Sequence, residues 1–210
     1  MGAVDVTLPL PVNTATIADY IRDSIAVKQK ILGDQALQAA IVRVVEVCLD
    51  AFRNGNKILL GGNGGSAADA QHVAAEFVSR FEFDRPGLPA IALTVDTSAL
   101  TAIGNDYGYE LLFSRQLEAL ARPGDVFIGI TTSGNSKNIL KGFEACDKLG
   151  VIKVALCGAG GKVHELADHV LAAPSTHTPR IQESHLLIEH MICALIEEQL
   201  FASEYKKAKS

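Results

Sequence analysis

The sequence predicts an open α/β fold, in which a parallel sheet packs between helices and follows an N-terminal helical hairpin. After residue 55, short runs rich in Ile and Val alternate with helical patterns. The runs are apolar on both faces, as strands buried in a parallel sheet are. Strand–turn–helix alternation implies right-handed crossovers between parallel strands. At roughly 150 residues per domain, the 210 residues of the chain suit one domain.

The individual elements follow from the spacing of apolar residues. Two helices are predicted first, over 14–31 and 35–52, because apolar residues recur there at spacings of three and four. The predicted strands are 57–61, 90–95, 126–131, 152–157 and 169–172. The helices predicted between and after them are 67–80, 107–121, 136–149, 162–167 and 180–203. Within a single domain over 1–210 we therefore expect a loose leader at 1–12, helices at 13–54, and an α/β core with a C-terminal helix at 55–203.

Composition and charge argue against several classes of protein. The chain has 19 basic and 24 acidic residues, a formal charge of -5. Without a block of Lys and Arg it suits a phosphate backbone poorly, so no nucleic-acid partner is expected. Neither a secretory signal nor an 18-residue apolar segment is visible, so no membrane association is expected. The four cysteines lie among apolar residues, which predicts buried, reduced thiols and a cytoplasmic location.

A glycine-rich turn, Gly61-Gly62-Asn63-Gly64-Gly65-Ser66, follows the first predicted strand. Glycines let backbone N–H groups approach a ligand, and the helix predicted to begin near Ala67 favours an anion at its N-terminus. The turn also fits a relaxed dinucleotide fingerprint, which needs an acid about 20 residues further on. The candidate acid, Asp96, comes 32 residues after Gly64. A tight structural turn is the alternative interpretation.

A second turn, Thr131-Thr132-Ser133-Gly134-Asn135-Ser136, follows the third predicted strand and is dense in hydroxyls. Hydroxyls and free N–H groups at a helix N-terminus suit a phosphate monoester. Ordinary N-capping by Ser133 or Ser136 is the alternative. Because open α/β sheets bind ligands at the carboxyl ends of neighbouring strands, the two turns together favour a phosphorylated small molecule.

Four polar residues on two predicted helices are candidates for metal binding and proton transfer. His72 and Glu76 are four apart and share a helix face. Gln182 and His190 are eight apart, about two turns, near the last helix. Two imidazoles, a carboxylate and an amide oxygen could hold a divalent metal, zinc above all. The alternative for His72 and Glu76 is an ordinary surface pair.

Four motifs carry a resemblance to a known family. They are GNGGSAADAQH at 62–72, TAIGNDYG at 101–108, TSGNS at 132–136 and RIQE at 180–183. Together they resemble the bacterial phosphoheptose (sedoheptulose 7-phosphate) isomerases of the sugar isomerase (SIS) domain family, from the N-terminal helices to about Leu200. The resemblance implies a three-layer sandwich whose five-stranded parallel sheet is of the flavodoxin type, and a homotetramer with sites at subunit interfaces.

The resemblance also implies a reaction. It is the aldose–ketose conversion of sedoheptulose 7-phosphate to D-glycero-D-manno-heptose 7-phosphate, a first step toward ADP- or GDP-heptose for lipopolysaccharide, capsule or other glycans. One Zn²⁺ per subunit is implied, with ligands at His72, Glu76, Gln182 and His190. Glu76 and His190 are implied as the acid–base pair.

Substrate contacts are implied in both turns and beyond them, at Asn63, Gly64, Gly65, Ser66, Glu76, Asn105, Asp106, Thr131, Thr132, Ser133, Ser136 and Gln182. Two departures from the family pattern are visible. Thr131 stands where the family often has Ser, and it keeps the hydroxyl. The segment 174–178 lacks the acidic residues that many members carry, so substrate fit or metal affinity could differ.

Three other functions are left open by the sequence. SIS-domain adaptors that bind the bacterial replication initiator lack the Glu and the final His of the isomerases, whereas this chain has both Glu76 and His190. A sugar-phosphate sensor would bind through Ser133 and Ser136 without turnover. A dinucleotide-dependent oxidoreductase is disfavoured by the position of Asp96.

Overall fold

A computed structural model describes the backbone of residues 11–209, and side chains as far as residue 203. Residues 1–10, most of the expected leader, lie outside the described residues. The strands are β1 (Ile58–Gly62), β2 (Ala90–Ala92), β3 (Val126–Thr131), β4 (Ile152–Cys157) and β5 (His169–Ala172). All pairs are parallel, in the order β2-β1-β3-β4-β5. This is the flavodoxin order, so the predicted sheet is confirmed.

Helices precede, connect and follow the strands. They are α1 (Thr14–Gly33), α2 (Gln35–Arg53), α3 (Gly65–Val78), α4 (Thr97–Asp106), α5 (Leu112–Leu120), α6 (Lys137–Leu149), α7 (Val163–Leu166) and α8 (Thr178–Lys209). Asn13 and Asp34 cap α1 and α2 by accepting backbone N–H groups at 3.0 and 2.9 Å. Asp34 is also the single residue between these helices. The predicted pair of N-terminal helices is present.

Strand residues alternate between two buried clusters on opposite faces of the sheet. Leu60 and Ile128 pack with residues of α2, α3 and α8, whereas Leu59 and Phe127 pack with residues of α5 and α6. Each cluster excludes water from one face, so both faces of the parallel sheet are covered. The three-layer sandwich is thereby confirmed.

The chain after β2 differs most from the sequence prediction. Helix α4 was not predicted, and none of its residues is buried, so no apolar stripe marks it. Strand β2 ends at Ala92 because it is an edge strand that pairs with β1 over three residues. The helix predicted over 107–121 begins as a 3₁₀ turn, Tyr109–Leu111, and continues as α5.

The four cysteines are buried, as predicted: Cys48, Cys146, Cys157 and Cys193. Burial raises the pKa of each thiol, so all four stay protonated at neutral pH. Within the part of the chain that the structure describes, no helix is both long and apolar enough to cross a bilayer.

Candidate active site

The glycine turn (residues 61–66) and the hydroxyl turn (residues 131–136) lie side by side at the carboxyl end of the sheet. Strands β1 and β3 are neighbours in register as far as Gly62 and Ile130, and each leads into a turn that starts a helix. The order in which successive strands are added reverses between β1 and β3, since β2 lies on one side of β1 and β3 on the other. Open α/β sheets bind ligands in the crevice at such a point, so the topology brings the two predicted ligand turns together.

The glycine turn leaves the N-terminus of α3 without a side-chain cap among the described residues. Gly64 has a φ of +57°, a left-handed conformation that glycine adopts at little cost. Gly65 faces Gln182, because a Cβ on Gly65 would lie 2.5 Å from the Nε2 of that amide. Ser66 is buried, and its N–H donates to the carbonyl of Asn63 at 3.1 Å. The N-terminus of α3, which has no side-chain cap and carries the positive end of the helix dipole, suits a polar or anionic ligand.

Three hydroxyls converge in the hydroxyl turn. The Oγ1 of Thr131 lies 2.9 Å from Ser136 Oγ and 3.5 Å from Ser133 Oγ. Ser136 immediately precedes α6, yet no described side chain caps that helix. Ser133 Oγ accepts the N–H of Asn135 at 3.1 Å. Ordinary capping of α6 by these serines is therefore wrong, and the hydroxyls with the helix N-terminus suit a phosphate.

A second glycine-rich segment, residues 158–161, packs directly against the hydroxyl turn. A Cβ on Gly134 would lie 2.2 Å from the carbonyl oxygen of Gly160. A Cβ on Gly158 would lie 2.7 Å from the carbonyl oxygen of Thr132. The N–H of Lys162 donates to the side chain of Asn135 at 3.1 Å. Because only glycine allows backbones to approach this closely, the turn is held in place by direct backbone packing.

His72, Glu76 and His190 meet where α3 packs against α8. The Nε2 atoms of the two histidines are 3.0 Å apart, and His72 Nε2 is 3.4 Å from Glu76 Oε1. One ligand atom from each residue lies within 4.8 Å of the other two. His72 follows Gly65 by about two turns, as His190 follows Gln182. The two contacts, Gly65 with Gln182 and His72 with His190, show that α3 and α8 run side by side in the same direction.

The three donors fit a metal ion. Two imidazole nitrogens and one carboxylate form the ligand set of many catalytic zinc sites, which keep a further position open for water or substrate. The His72 side chain is 44% exposed, so a ligand can reach the cluster. His72, Glu76 and His190 could therefore hold a metal ion. Gln182 lies about 12 Å from His190 along the helix axis, with its amide against Gly65, and its role as a ligand stays a prediction.

A buried ion pair that the sequence analysis missed lies next to the cluster. Arg85 Nε is 3.0 Å from Glu197 Oε1, and the two side chains are 2% and 1% exposed. The Glu197 carboxylate also accepts the N–H groups of Phe81 and Glu82, at 2.9 and 2.6 Å. We call this pair the Arg85–Glu197 clamp, because it ties the segment after α3 to α8.

The clamp contacts the cluster of His72, Glu76 and His190 in two ways. Arg85 donates through Nη2 to the carbonyl of Glu76 at 2.7 Å. The ring of Phe81 lies 5.3 Å from the ring of His190, centroid to centroid. The available sequence signal was the position of Glu197, seven residues after His190 and so on nearly the same helix face, within an apolar stretch.

Asn105 and Asp106 lie at the exposed C-terminal end of α4. The Asn105 amide donates to the Asp106 carboxylate at 2.7 Å. Helix α4 borders an open cleft that Thr101 and Gly64 line together, so it lies beside the glycine turn. Contacts of Asn105 and Asp106 with a substrate stay a prediction. Asp96 caps α4 by accepting the N–H of Ala99 at 2.9 Å, which gives this acid a structural role.

Two further titratable residues of α8 point into the core. His185 is fully buried, with its Nε2 3.0 Å from the carbonyl oxygen of Cys157. Burial lowers the pKa of His185 to about 4, against the opposing effect of that hydrogen bond. Glu189 lines a small apolar cavity under the helix. Burial, and then the charge of Asp69, raise the pKa of Glu189 to about 8.

Known proteins resemble this chain over nearly all of its length. The family model of the SIS domain matches residues 19–158. Phosphoheptose isomerase of Aneurinibacillus thermoaerophilus is 59% identical over 194 residues, which cover 92% of this chain and 98% of that protein. Phosphoheptose isomerase 2 of Campylobacter jejuni is 59% identical, with 90% and 94% covered. The structure of phosphoheptose isomerase from Neisseria gonorrhoeae superposes with a TM-score of 0.82 at 44% identity, covering 88% of this chain and 98% of that one.

The fold and the family match define a protein built on the SIS domain. Within that family the chain belongs to the phosphoheptose isomerases, and it is accordingly an enzyme of the aldose–ketose isomerase class. The resemblance seen in the sequence is confirmed. The adaptor that binds the replication initiator and the sugar-phosphate sensor are not favoured by these relatives.

Proposed function

We propose that this enzyme converts sedoheptulose 7-phosphate to D-glycero-D-manno-heptose 7-phosphate, through a cis-enediol. The observation that carries the proposal is the convergence of His72, Glu76 and His190 between the helices that flank the glycine turn. The names of the relatives support a heptose phosphate as substrate. The product would enter the synthesis of ADP- or GDP-heptose for lipopolysaccharide or another glycan.

Substrate binding divides between the two turns. The phosphate would be bound by the hydroxyls of Thr131, Ser133 and Ser136 with the N-terminus of α6, and Thr132 would add its own hydroxyl. The sugar would be bound by backbone groups of the glycine turn (Asn63, Gly64, Gly65 and Ser66), with further contacts from Asn105, Asp106 and Gln182. Its carbonyl end would then reach Glu76 and His190.

Proton transfer falls to Glu76 and His190. The Glu76 carboxylate would remove a proton from C1 of the ketose, leaving a cis-enediol, and would return it to C2 to give the aldose. His190 would move a proton between the C1 and C2 oxygens, so that charge does not accumulate on either. The Glu76 side chain is 20% exposed, so its carboxylate is accessible to a ligand.

The proposal includes one zinc ion per subunit, held by His72, Glu76 and His190. Gln182 is the predicted fourth ligand, and its amide would have to leave Gly65, about two helical turns away, to reach the ion. The donor chemistry of the three clustered residues supports zinc. Lewis-acid polarisation of the C1 and C2 oxygens is the chemistry that such an ion supplies when bound. Each imidazole would coordinate the ion through an unprotonated ring nitrogen.

We include a homotetramer and a cytoplasmic location in the proposal. An apolar stripe on α1 is open to solvent in the single chain: Ile17, Tyr20, Ile21 and Ile25 are each 49–59% exposed. Their spacing puts them on one helix face, which suits burial against further copies of the chain. The four buried thiols suit a reducing compartment. Analytical ultracentrifugation of the wild type and an Ile21→Lys variant tests the assembly.

The reaction is tested by incubating the protein with sedoheptulose 7-phosphate in D₂O and following the sugar by proton NMR. Aldose signals with deuterium at C2 are expected, because the proton that Glu76 removes exchanges with D₂O before C2 is reprotonated. Loss of turnover with a chelator, and its return with zinc but not with magnesium, would support the metal. Binding without turnover would contradict the proposal and point to a sensor or an adaptor.

Replacing Glu76 by Gln tests the base. The amide keeps the shape of the side chain but cannot accept the proton, so turnover should fall about 10²- to 10⁴-fold. The metal content of the variant must be measured alongside, because Glu76 is also a proposed ligand. Near-normal turnover in a folded, zinc-loaded Glu76→Gln variant would refute the assignment.

A further inference from the structure

The two ligand turns are joined by a pair of asparagines. Asn63 of the glycine turn donates through Nδ2 to Asn138 Oδ1 at 2.9 Å, and Asn138 donates through its own Nδ2 to Asn63 Oδ1 at 2.8 Å. Asn138 lies in the first turn of α6, directly after the hydroxyl turn, and is 2% exposed. The two residues are 75 positions apart in the chain. The pair therefore bridges the carboxyl ends of β1 and β3 with two reciprocal amide hydrogen bonds.

A third residue completes the network. The hydroxyl of Tyr109 donates to Asn63 Oδ1 at 2.8 Å. Asn63 Oδ1 thus accepts two hydrogen bonds, which uses both lone pairs of a side-chain carbonyl. Tyr109 is 63% exposed and borders the open clefts on both sides of Asn63. The Asn63 side chain is thereby held by two neighbours, Asn138 and Tyr109.

We propose that Asn138 is a positioning residue that sets the distance between the glycine turn and the hydroxyl turn, with Tyr109 fixing the amide of Asn63. A sugar phosphate bound as in the proposed function, on which this inference rests, must contact both turns at once. Because the separation is fixed before the substrate binds, no conformational entropy is lost in ordering the turns on binding. Pre-organisation of this kind favours binding. Inorganic phosphate, which would contact the hydroxyl turn alone, gains nothing from that separation.

The argument predicts a selective loss in an Asn138→Ala variant. The KM for sedoheptulose 7-phosphate should rise about tenfold, with kcat changed less than about twofold, because the loss falls on binding that substrate and transition state share. The affinity for inorganic phosphate should stay within about twofold of the wild type. Zinc affinity should also be unchanged, because His72 and Glu76 lie about two and three turns further along α3 from the glycine turn.

Two further variants separate positioning from a general loss of stability. Tyr109→Phe removes one exposed hydroxyl and should fold normally, with KM raised about two- to fivefold. A double-mutant cycle of Asn63→Ala and Asn138→Ala should show that the double variant is no worse than the poorer single variant, because each amide acts through the other.

Asn56 supplies the matched control. It stands before β1, at the opposite end of the same two strands, and its amide donates to the Pro123 carbonyl and the Asp125 carboxylate at 2.9 and 3.1 Å. Asn56→Ala should lower the stability of the protein but leave KM unchanged. If Asn138→Ala and Asn56→Ala shift KM alike, the effect is one of stability and the inference is wrong.

Enzyme kinetics and phosphate titration together decide the outcome. Wild-type turnover of sedoheptulose 7-phosphate tests the proposed function by itself. The ratio of the KM of the Asn138→Ala variant to the KM of the wild type tests the role of the asparagine pair. A parallel loss of inorganic phosphate affinity would show that Asn138 serves the hydroxyl turn alone. A fall in kcat at constant KM would place it in the chemical step. Either result would overturn the inference.

Discussion

Replacing Glu197 by Gln should destabilise the protein strongly, although Glu197 has no part in the proposed chemistry. The Glu197 carboxylate is 1% exposed and uses both oxygens. Oε1 accepts from the Phe81 N–H and Arg85 Nε, and Oε2 accepts from the Glu82 N–H. An amide offers one oxygen only, so its NH₂ group would face an N–H donor, and Arg85 would lose the opposing charge.

The expected magnitude follows from the burial of the pair. Removing one partner of a buried ion pair typically costs about 3–5 kcal/mol, because the remaining charge stays buried and unpaired. An exposed pair is worth about 0–1 kcal/mol. The double variant Arg85→Met with Glu197→Leu should not recover the loss. The backbone N–H groups that Glu197 satisfies, and the Glu76 carbonyl that accepts from Arg85, would lose these partners.

Urea unfolding followed by circular dichroism measures this effect, at one fixed protein concentration so that subunit association stays constant. The control is Glu144→Gln, which removes the exposed pair with Lys141 at 2.7 Å and should change the free energy of unfolding by less than about 0.5 kcal/mol. A loss below about 1 kcal/mol for Glu197→Gln would show that the clamp is solvated in solution, contrary to the reasoning.

Two further predictions concern pH and the hydroxyl turn. His185 has a pKa lowered to about 4 in the fold, against about 6.5 when unfolded. The unfolded chain therefore binds a proton at His185 before the folded protein does. The free energy of unfolding keeps the full contribution of His185 above pH 6.5 and loses about 3 kcal/mol as the pH falls toward 4. Urea titrations across that range should show the loss, and His185→Gln should flatten it; an equal slope in both proteins would contradict the assignment. Gly134→Ala would place a Cβ 2.2 Å from the Gly160 oxygen at a φ of +65°, so it should cost about 1–3 kcal/mol and weaken phosphate binding. Gly104→Ala, with no atom within 4 Å and inside α4, should instead stabilise by about 0.5–1 kcal/mol; a harmless Gly134→Ala would refute the close packing.

The fold was predictable because most of its elements are buried, and buried elements are marked by apolar residues at regular spacing. Strands β1, β3 and β4 are almost wholly buried, so their apolar runs stand out in the sequence without knowledge of their neighbours. Helix α4 buries nothing and escaped detection for the same reason. The two ligand turns were predictable because a close backbone approach and a phosphate site require glycines and hydroxyls that are visible as residue types.

The meeting of distant residues was decided by the tertiary structure alone. His72 and His190 are 118 positions apart, and Arg85 and Glu197 are 112 apart. For His72 and His190 the resemblance to known isomerases implied a shared site, whereas the residues themselves left open that His72 and Glu76 form an ordinary surface pair. For the clamp and for the bridge between Asn63 and Asn138 no sequence signal was used.

The physical reason lies in how helices and strands pack. Periodicity shows which face of an element is buried, but not which other element covers it or at what height. Which side chains meet depends on how α3 and α8 lie side by side. Their relative position results from the packing of both helices on one face of the sheet. By itself the sequence determined the layers and the ligand turns of this protein, whereas the packing of the layers decided which side chains share a site.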